Sequence, residues 1–334
     1  SPGTTFQAEL TPVRRRHFKV KVPVANAPAN DVFNQLEISV EPQGKKGPAF
    51  DLGYNGREQK IEGALPDGVY VIKARNQGEN LATGEITITV KGGPVEGPPL
   101  TLLPGASVQF HAKMELQSDS AVAPSQREPG PGPERPGILA RGQNFSAFLE
   151  PVDAFATADL LPHSVAQSGD TVTFLGVAPG TYWVRIESPR GFAAAAMLGD
   201  VDLLKQPLAV GPGVNLVVDV MVQDNGAEVS GVVDDAEGRS PAESGQSVPA
   251  YVYCVPLPES TGQFRQTTAQ SDGTFDLQQL APGEYRLLAF DHPQRELEYH
   301  NAEAMKAYEG QGQVVRVGAA QKEKIRLPLI AGSE

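Results

Sequence analysis

The clearest alternation of apolar and polar positions runs from Phe275 to Phe290, F-D-L-Q-Q-L-A-P-G-E-Y-R-L-L-A-F, and predicts a strand, a tight turn and a second strand. The same pattern recurs at Val172–Ile186 and, with one slip, at Ile61–Ala74. Aligned on Gly-x-Tyr, the copies superimpose Gly68, Gly180 and Gly283, and two residues later Tyr70, Tyr182 and Tyr285. Beyond the tyrosines, Ile72, Val184 and Leu287 fall at plus two, and Ala74, Ile186 and Ala289 at plus four. This is the two-residue period of a strand with one buried face. The three glycines are expected at positive φ, which a residue with a Cβ reaches only at a cost of about 1 kcal/mol. The tyrosines are expected to be packed rings whose hydroxyls bond nearby backbone, as in a tyrosine corner.

The tyrosines stand 112 and 103 residues apart, the size of a β-sandwich and far longer than a solenoid or propeller unit. The pattern therefore predicts an all-β chain of three tandem antiparallel β-sandwich domains, at 17–105, 106–224 and 225–334. Residues 1–16 alternate like a strand but lack the rest of a domain. They are expected to be the tail of an upstream domain, or a free strand that pairs elsewhere; the opening Ser1-Pro2-Gly3-Thr4-Thr5 resembles neither a signal peptide nor a membrane anchor. The Pro/Gly run Arg127–Gly137 looks like a linker, yet matching strand to strand places it inside the second domain, in a loop spanning 117–142. The junctions near 104–106 and 223–227 are short, which predicts a stiff rod. Between Asp291 and Gly312 the alternation stops, and Glu303–Tyr308 predicts one short helix or turn; Gly191–Leu198 reads as a bulged strand rather than a helical turn.

Composition narrows the function classes. Gly and Pro number 35 and 29 of 334 residues, as many short strands and turns require. A net charge of −12 argues against nucleic acid and against an anionic membrane surface, and no apolar stretch is long enough for a membrane-spanning helix. The basic cluster Arg14-Arg15-Arg16-His17 with Lys19 and Lys21 reads as the solvated face of a strand, because Phe18, Val20 and Val22 alternate with it. Cys254 is the only cysteine, so no internal disulfide forms, and a buried inert thiol is expected.

No catalytic constellation stands out. The five histidines lack zinc spacing; the nearest cluster, Asp291, His292, Glu296, Glu298 and His300, reads as a solvated loop. Asp200 and Asp202, and Asp234 and Asp235, follow no calcium-loop pattern and read as turn residues. No nucleophile elbow or phosphate loop is present, and no cofactor is expected. Trp183, Tyr251, Tyr253, Tyr299 and Tyr308 could line a sugar site, with Trp183, Tyr299 and Tyr308 as the binding candidates, against core or interface packing as the plainer reading. Trp183 follows Tyr182, so one of the two rings must point outward or into a domain contact.

The strand, Pro-Gly-x-Tyr and alternating strand of 275–289, with Gly231–Gly238 and Thr267–Phe275, resemble carboxypeptidase regulatory-like domains. Their sandwich is related to transthyretin and to the Cna-type repeats of bacterial surface proteins. The resemblance is strong in the third repeat, good in the second and weaker in the first, where Pro66-Asp67-Gly68 replaces the two-residue turn. Glu298–Gly310 is similar to the closing region seen in tandem proteins of acidobacteria. The resemblance implies an immunoglobulin-like or prealbumin-like sandwich, a non-catalytic role and an extracytoplasmic location: secreted, cell-surface or periplasmic. Some Cna-type domains carry an isopeptide between first and last strands. Here Lys19, Lys21 and Lys113 do not face matching Asn or Asp partners, so none is expected. The reading is a structural or adhesive rod with protein partners or self-association through strand addition; the alternative is a carbohydrate-binding accessory module.

Overall fold

The computed structural model describes residues 15–27, 36–43, 50–76, 82–115, 138–141, 144–152, 164–166, 170–235, 239, 250–294 and 297–330; for 138–141 and 164–166 only the backbone is described. Nearly every regular element is a strand, and the chain is all-β. It divides into two compact units, 1–104 and 105–334.

In the first unit, β1 (His17–Ala25), β2 (Leu36–Pro42), β3 (Leu52–Asn55), β4 (Lys60–Pro66), β5 (Gly68–Asn76) and β6 (Ala82–Val90) are followed by the short strands β7 (Val95–Glu96), β8 (Leu100–Thr101) and β9 (Leu103–Pro104). One sheet runs β3-β4-β1-β7, with β8 also on β1; the other runs β2-β5-β6-β9. Alternation in β1 turns Val20, Val22 and Val24 inward, against Ile61 and Leu65 of β4 and Tyr70, Ile72 and Ala74 of β5.

The second unit begins with β10 (Ala106–Glu115), β11 (Ile138–Arg141), β12 (Ser146–Pro151), β13 (Ser164–Ala166), β14 (Thr171–Val177), β15 (Gly180–Glu187), β16 (Phe192–Leu198), β17 (Val201–Asp202), β18 (Leu208–Val210) and β19 (Asn215–Gln223). These form sheets ordered β13-β14-β10-β19-β16-β17 and β11-β12-β15-β18, which enclose one apolar core around Phe110, Phe174 and Val218. It continues with β20 (Ala227–Asp234), β21 (Tyr251–Pro256), β22 (Arg265–Thr268), β23 (Thr274–Leu280), β24 (Gly283–Phe290), β25 (Gln313–Val317) and β26 (Lys322–Ile330). Their order is β22-β21-β24-β26-β20-β23, with β25 sharing with β26 the edge of β24 opposite β21. They close around a second core containing Tyr285, Leu287 and Leu327.

The strand order repeats. In each set the opening strand lies between the first arm of the Gly-x-Tyr hairpin, antiparallel, and a closing strand, parallel. These trios are β4-β1-β7, β14-β10-β19 and β23-β20-β26. The second arm pairs antiparallel with β2, β12 or β21. Expected segments fall where the pattern put them: β16 is a strand with a register shift at Ala193/Ala195, and Ala302–Met305 is a helical turn followed by a 3-10 turn at Lys306–Tyr308. Residues 1–14 and the Pro/Gly run 127–137 lie outside the described residues.

The expected conformation at the hairpin glycines is corrected. Gly68, Gly180 and Gly283 do not have positive φ; Gly176 (φ 70°) and Gln279 (φ 56°), each six residues before its tyrosine, do. Both sit where the strand facing them shifts register, at Ala106/Ser107 and Ala227/Val229, so the left-handed residue belongs to a β-bulge. At two of the three hairpin tips glycine answers to space instead, while a Cβ on Gly180 would meet the Tyr182 ring at an ordinary 3.5 Å. A Cβ on Gly68 would lie 3.0 Å from the Tyr70 hydroxyl, and one on Gly283 2.2 Å from Ser260 Oγ. The tyrosine expectation holds in all three copies: Tyr70, Tyr182 and Tyr285 donate to the carbonyls of Pro66, Ala178 and Ala281 at 3.0, 2.8 and 2.6 Å.

Candidate functional site

Side chains of β12 and β15 that face away from their own core collect the most concentrated chemistry in the second unit. Cross-strand register sets Phe148 opposite Arg185 and Glu150 opposite Trp183, while Tyr182, Val184 and Ile186 turn inward. Arg185 lies 3.8 Å above the Phe148 ring, donates from Nε to Glu150 Oε1 at 3.0 Å, and pairs through Nη1 with Glu187. Burial pulls the guanidinium down, and the carboxylates of Glu187 and Glu150 more than offset it, so Arg185 stands above its ordinary pKa.

The later strands complete this face. Arg265 of β22 approaches Glu187 at 3.4 Å, which extends the charges into an alternating series Glu150–Arg185–Glu187–Arg265. Tyr299 donates its hydroxyl to Glu150 Oε2 at 2.6 Å and stacks on Phe264 at 4.2 Å. Trp183 stacks almost flat on His300, centroids 4.1 Å apart and planes 9° from parallel. The backbone N–H of Ile186, on the side of β15 that β18 leaves open, donates to Gln263 Oε1 at 2.8 Å. Glu150, Arg185, Glu187, Arg265 and Tyr299 thus engage one another across the series. The geometry holds two sheets together.

Of the three aromatic candidates, the structure brings Trp183 and Tyr299 to this junction. It does not bring Tyr308, which packs edge-on to Phe290 at 5.8 Å. Of the other two aromatics considered, Tyr253 is fully buried and accepts from Gln294 N at 2.8 Å, and Tyr251 packs beside that cluster. No coplanar exposed platform for a sugar ring is formed by these residues. The signal that sequence reasoning missed was Glu150, Arg185 and Arg265, whose alternation with apolar positions looked like ordinary solvated strand faces.

The remaining candidates occupy ordinary roles. Asp202 accepts from Leu204 N and pairs with Lys205, and Asp235 accepts from Arg239 N, as turn residues do. Asn301 caps the short helix and donates to Glu298; Glu296 is outside the described residues. Among the described residues no three His, Cys, Asp or Glu gather as metal ligands, and no helix is long and apolar enough to cross a membrane. Cys254 is fully buried, and burial pushes its thiol well above the usual range. Lys19, Lys113, Asn215 and Asp219 are exposed, outside the cores where an isopeptide would be sheltered.

Neither a protein-family model nor a curated protein sequence matches the chain. Solved structures do share its β-sandwich character. The TIE protein of Bacillus anthracis is 9% identical over 93% of this chain, with a TM-score of 0.19, and the chain spans half the length of that protein. The minor pilin GBS52 of Streptococcus agalactiae is 10% identical over 62% of this chain and 96% of its own, with a TM-score of 0.27. BcpA, the major pilin subunit of Bacillus cereus, is 8% identical over 94% and 99%, with a TM-score of 0.22. Scores this far below 0.5 say nothing about function. The resemblance to carboxypeptidase regulatory-like domains rests on this chain's own residues.

Proposed function

We propose that the chain is a non-enzymatic, extracytoplasmic structural protein that serves adhesion or self-assembly. Its repeats are read as three sandwiches, 17–105, 106–224 and 225–334, of carboxypeptidase regulatory-like type, related to transthyretin and Cna-type domains. One observation carries this reading: the richest collection of charged and aromatic side chains is spent on internal packing, with Glu150, Arg185, Glu187, Arg265 and Tyr299 satisfying one another. A catalytic site needs convergent polar groups aimed at a substrate, and these are aimed at each other. A sugar site needs exposed stacked rings, and Trp183 is already stacked on His300.

Self-assembly through strand addition is supported by β25, whose outer edge has no strand partner among the described residues, and by the alternating sequence pattern of residues 1–16. Light scattering of the full chain against a chain lacking residues 1–13, which keeps the arginines from 14 onward, tests it. Loss of oligomers on deletion is the expected result; an unchanged mass distribution removes strand addition from the reading.

A further inference from the structure

The two compact units differ sharply in charge. Residues 1–104 carry 12 Lys and Arg against 11 Asp and Glu, a balance of +1, whereas residues 105–334 carry 16 against 29, a balance of −13. The first unit also concentrates its cations. Arg15 and Arg16, just before β1, and Lys19 within it are exposed, and none of them, nor Lys21, has an ion-pair partner within 4 Å among the described residues. Lys19 and Lys21 stand on the solvent face of the β3-β4-β1 sheet, where register places Ala64 beside Lys19, Glu62 beside Lys21 and Gly53 across β4 from Glu62. Small residues there leave a shallow groove of about 540 Å³ lined by both lysines, Asn55 and Glu62. A solvated sheet face with cations free of ion pairs beside a depression suits an anionic partner.

We propose that this face docks the acidic second unit of another copy of the chain, a head-to-tail contact between unlike surfaces. The proposal rests on the self-associating reading above and names the surfaces that would meet. A second copy is the occupant because charge complementarity is written into the chain itself: the +1 unit carries the unpaired cations, and the −13 unit supplies exposed carboxylates such as Asp200, Asp219 and Glu309. Such a contact uses a different patch on each partner, so it either closes into a ring or propagates. It is electrostatic, and salt above the physiological range screens it.

Sedimentation velocity of the full chain at about 20 mM and about 500 mM NaCl tests this. The wild type is expected to associate at low salt and to be monomeric at high salt. The variant R15E/K19E/K21E is expected to remain monomeric at both, and R15K/K19R/K21R to behave as wild type. Circular dichroism of the charge-reversed variant checks that it folds. Association that survives high salt and charge reversal overturns the proposal and leaves strand addition standing. A wild type that is monomeric at low salt overturns it too, whether or not the chain is retained on a polyanion column.

Discussion

At the scale of single residues, the repeat is built around a buried tyrosine hydroxyl in all three copies, joined in the second and third by a left-handed residue six positions before it. Gln279 holds φ at 56°, a region that favours glycine, while the second copy places Gly176 there. Gln279→Gly is therefore expected to stabilise the chain by about 0.5–1 kcal/mol, read as a raised urea midpoint with unchanged slope. Burial pushes Tyr182 up to about 12, above the value of about 10 for an unfolded chain. A raised folded-state pKa gives stability that is complete below pH 10 and is lost as pH climbs toward 12, because only the unfolded state releases the proton across that window. Urea titrations between pH 9 and 12 should show a steep decline in wild type and a shallower one in Tyr182→Phe. The periodicity made the tyrosines legible. It could not reveal which residue takes positive φ, because a bulge changes register on the facing strand, and Gly68 and Gly283 looked like turn residues when they clear a ring or a hydroxyl.

At the scale of elements, strand identity and inward faces were legible because alternation reports burial directly: Val20, Phe110 and Leu287 each point where the two-residue period puts them. The short strands β3, β7, β11, β13 and β18 were not, since two to four residues carry too little period to stand out. The junction was illegible for another reason. Glu150 and Tyr299 are 149 residues apart, and outward polar positions look the same whether water or another sheet covers them. Because each now depends on the other, Tyr299→Phe and Glu150→Gln should show a coupling energy of about 1 kcal/mol in a double-mutant cycle of unfolding free energies. Additive effects would mean that the hydroxyl and carboxylate do not act together. Glu150→Ala should cost more than either, about 3 kcal/mol, since it strips a partner from the buried Arg185.

At the scale of the molecule, a threefold repeat of strand order coexists with a division into two compact units, because the junction ties the later strands to β12 and β15. The repeat was readable from the sequence; the tie was not. The parallel placement of opening and closing strands has a further consequence. Across nine consecutive registers, Ser107–Glu115 lies alongside Asn215–Gln223 and runs the same way, so the chain enters this sandwich at one end and leaves at the other. Tension on the polypeptide would then slide the two strands lengthwise against one another, loading all the ladder bonds together, whereas a pair pulled apart from one end breaks them singly. Such a ladder would give this one module a shear-loaded clamp along the direction of pull.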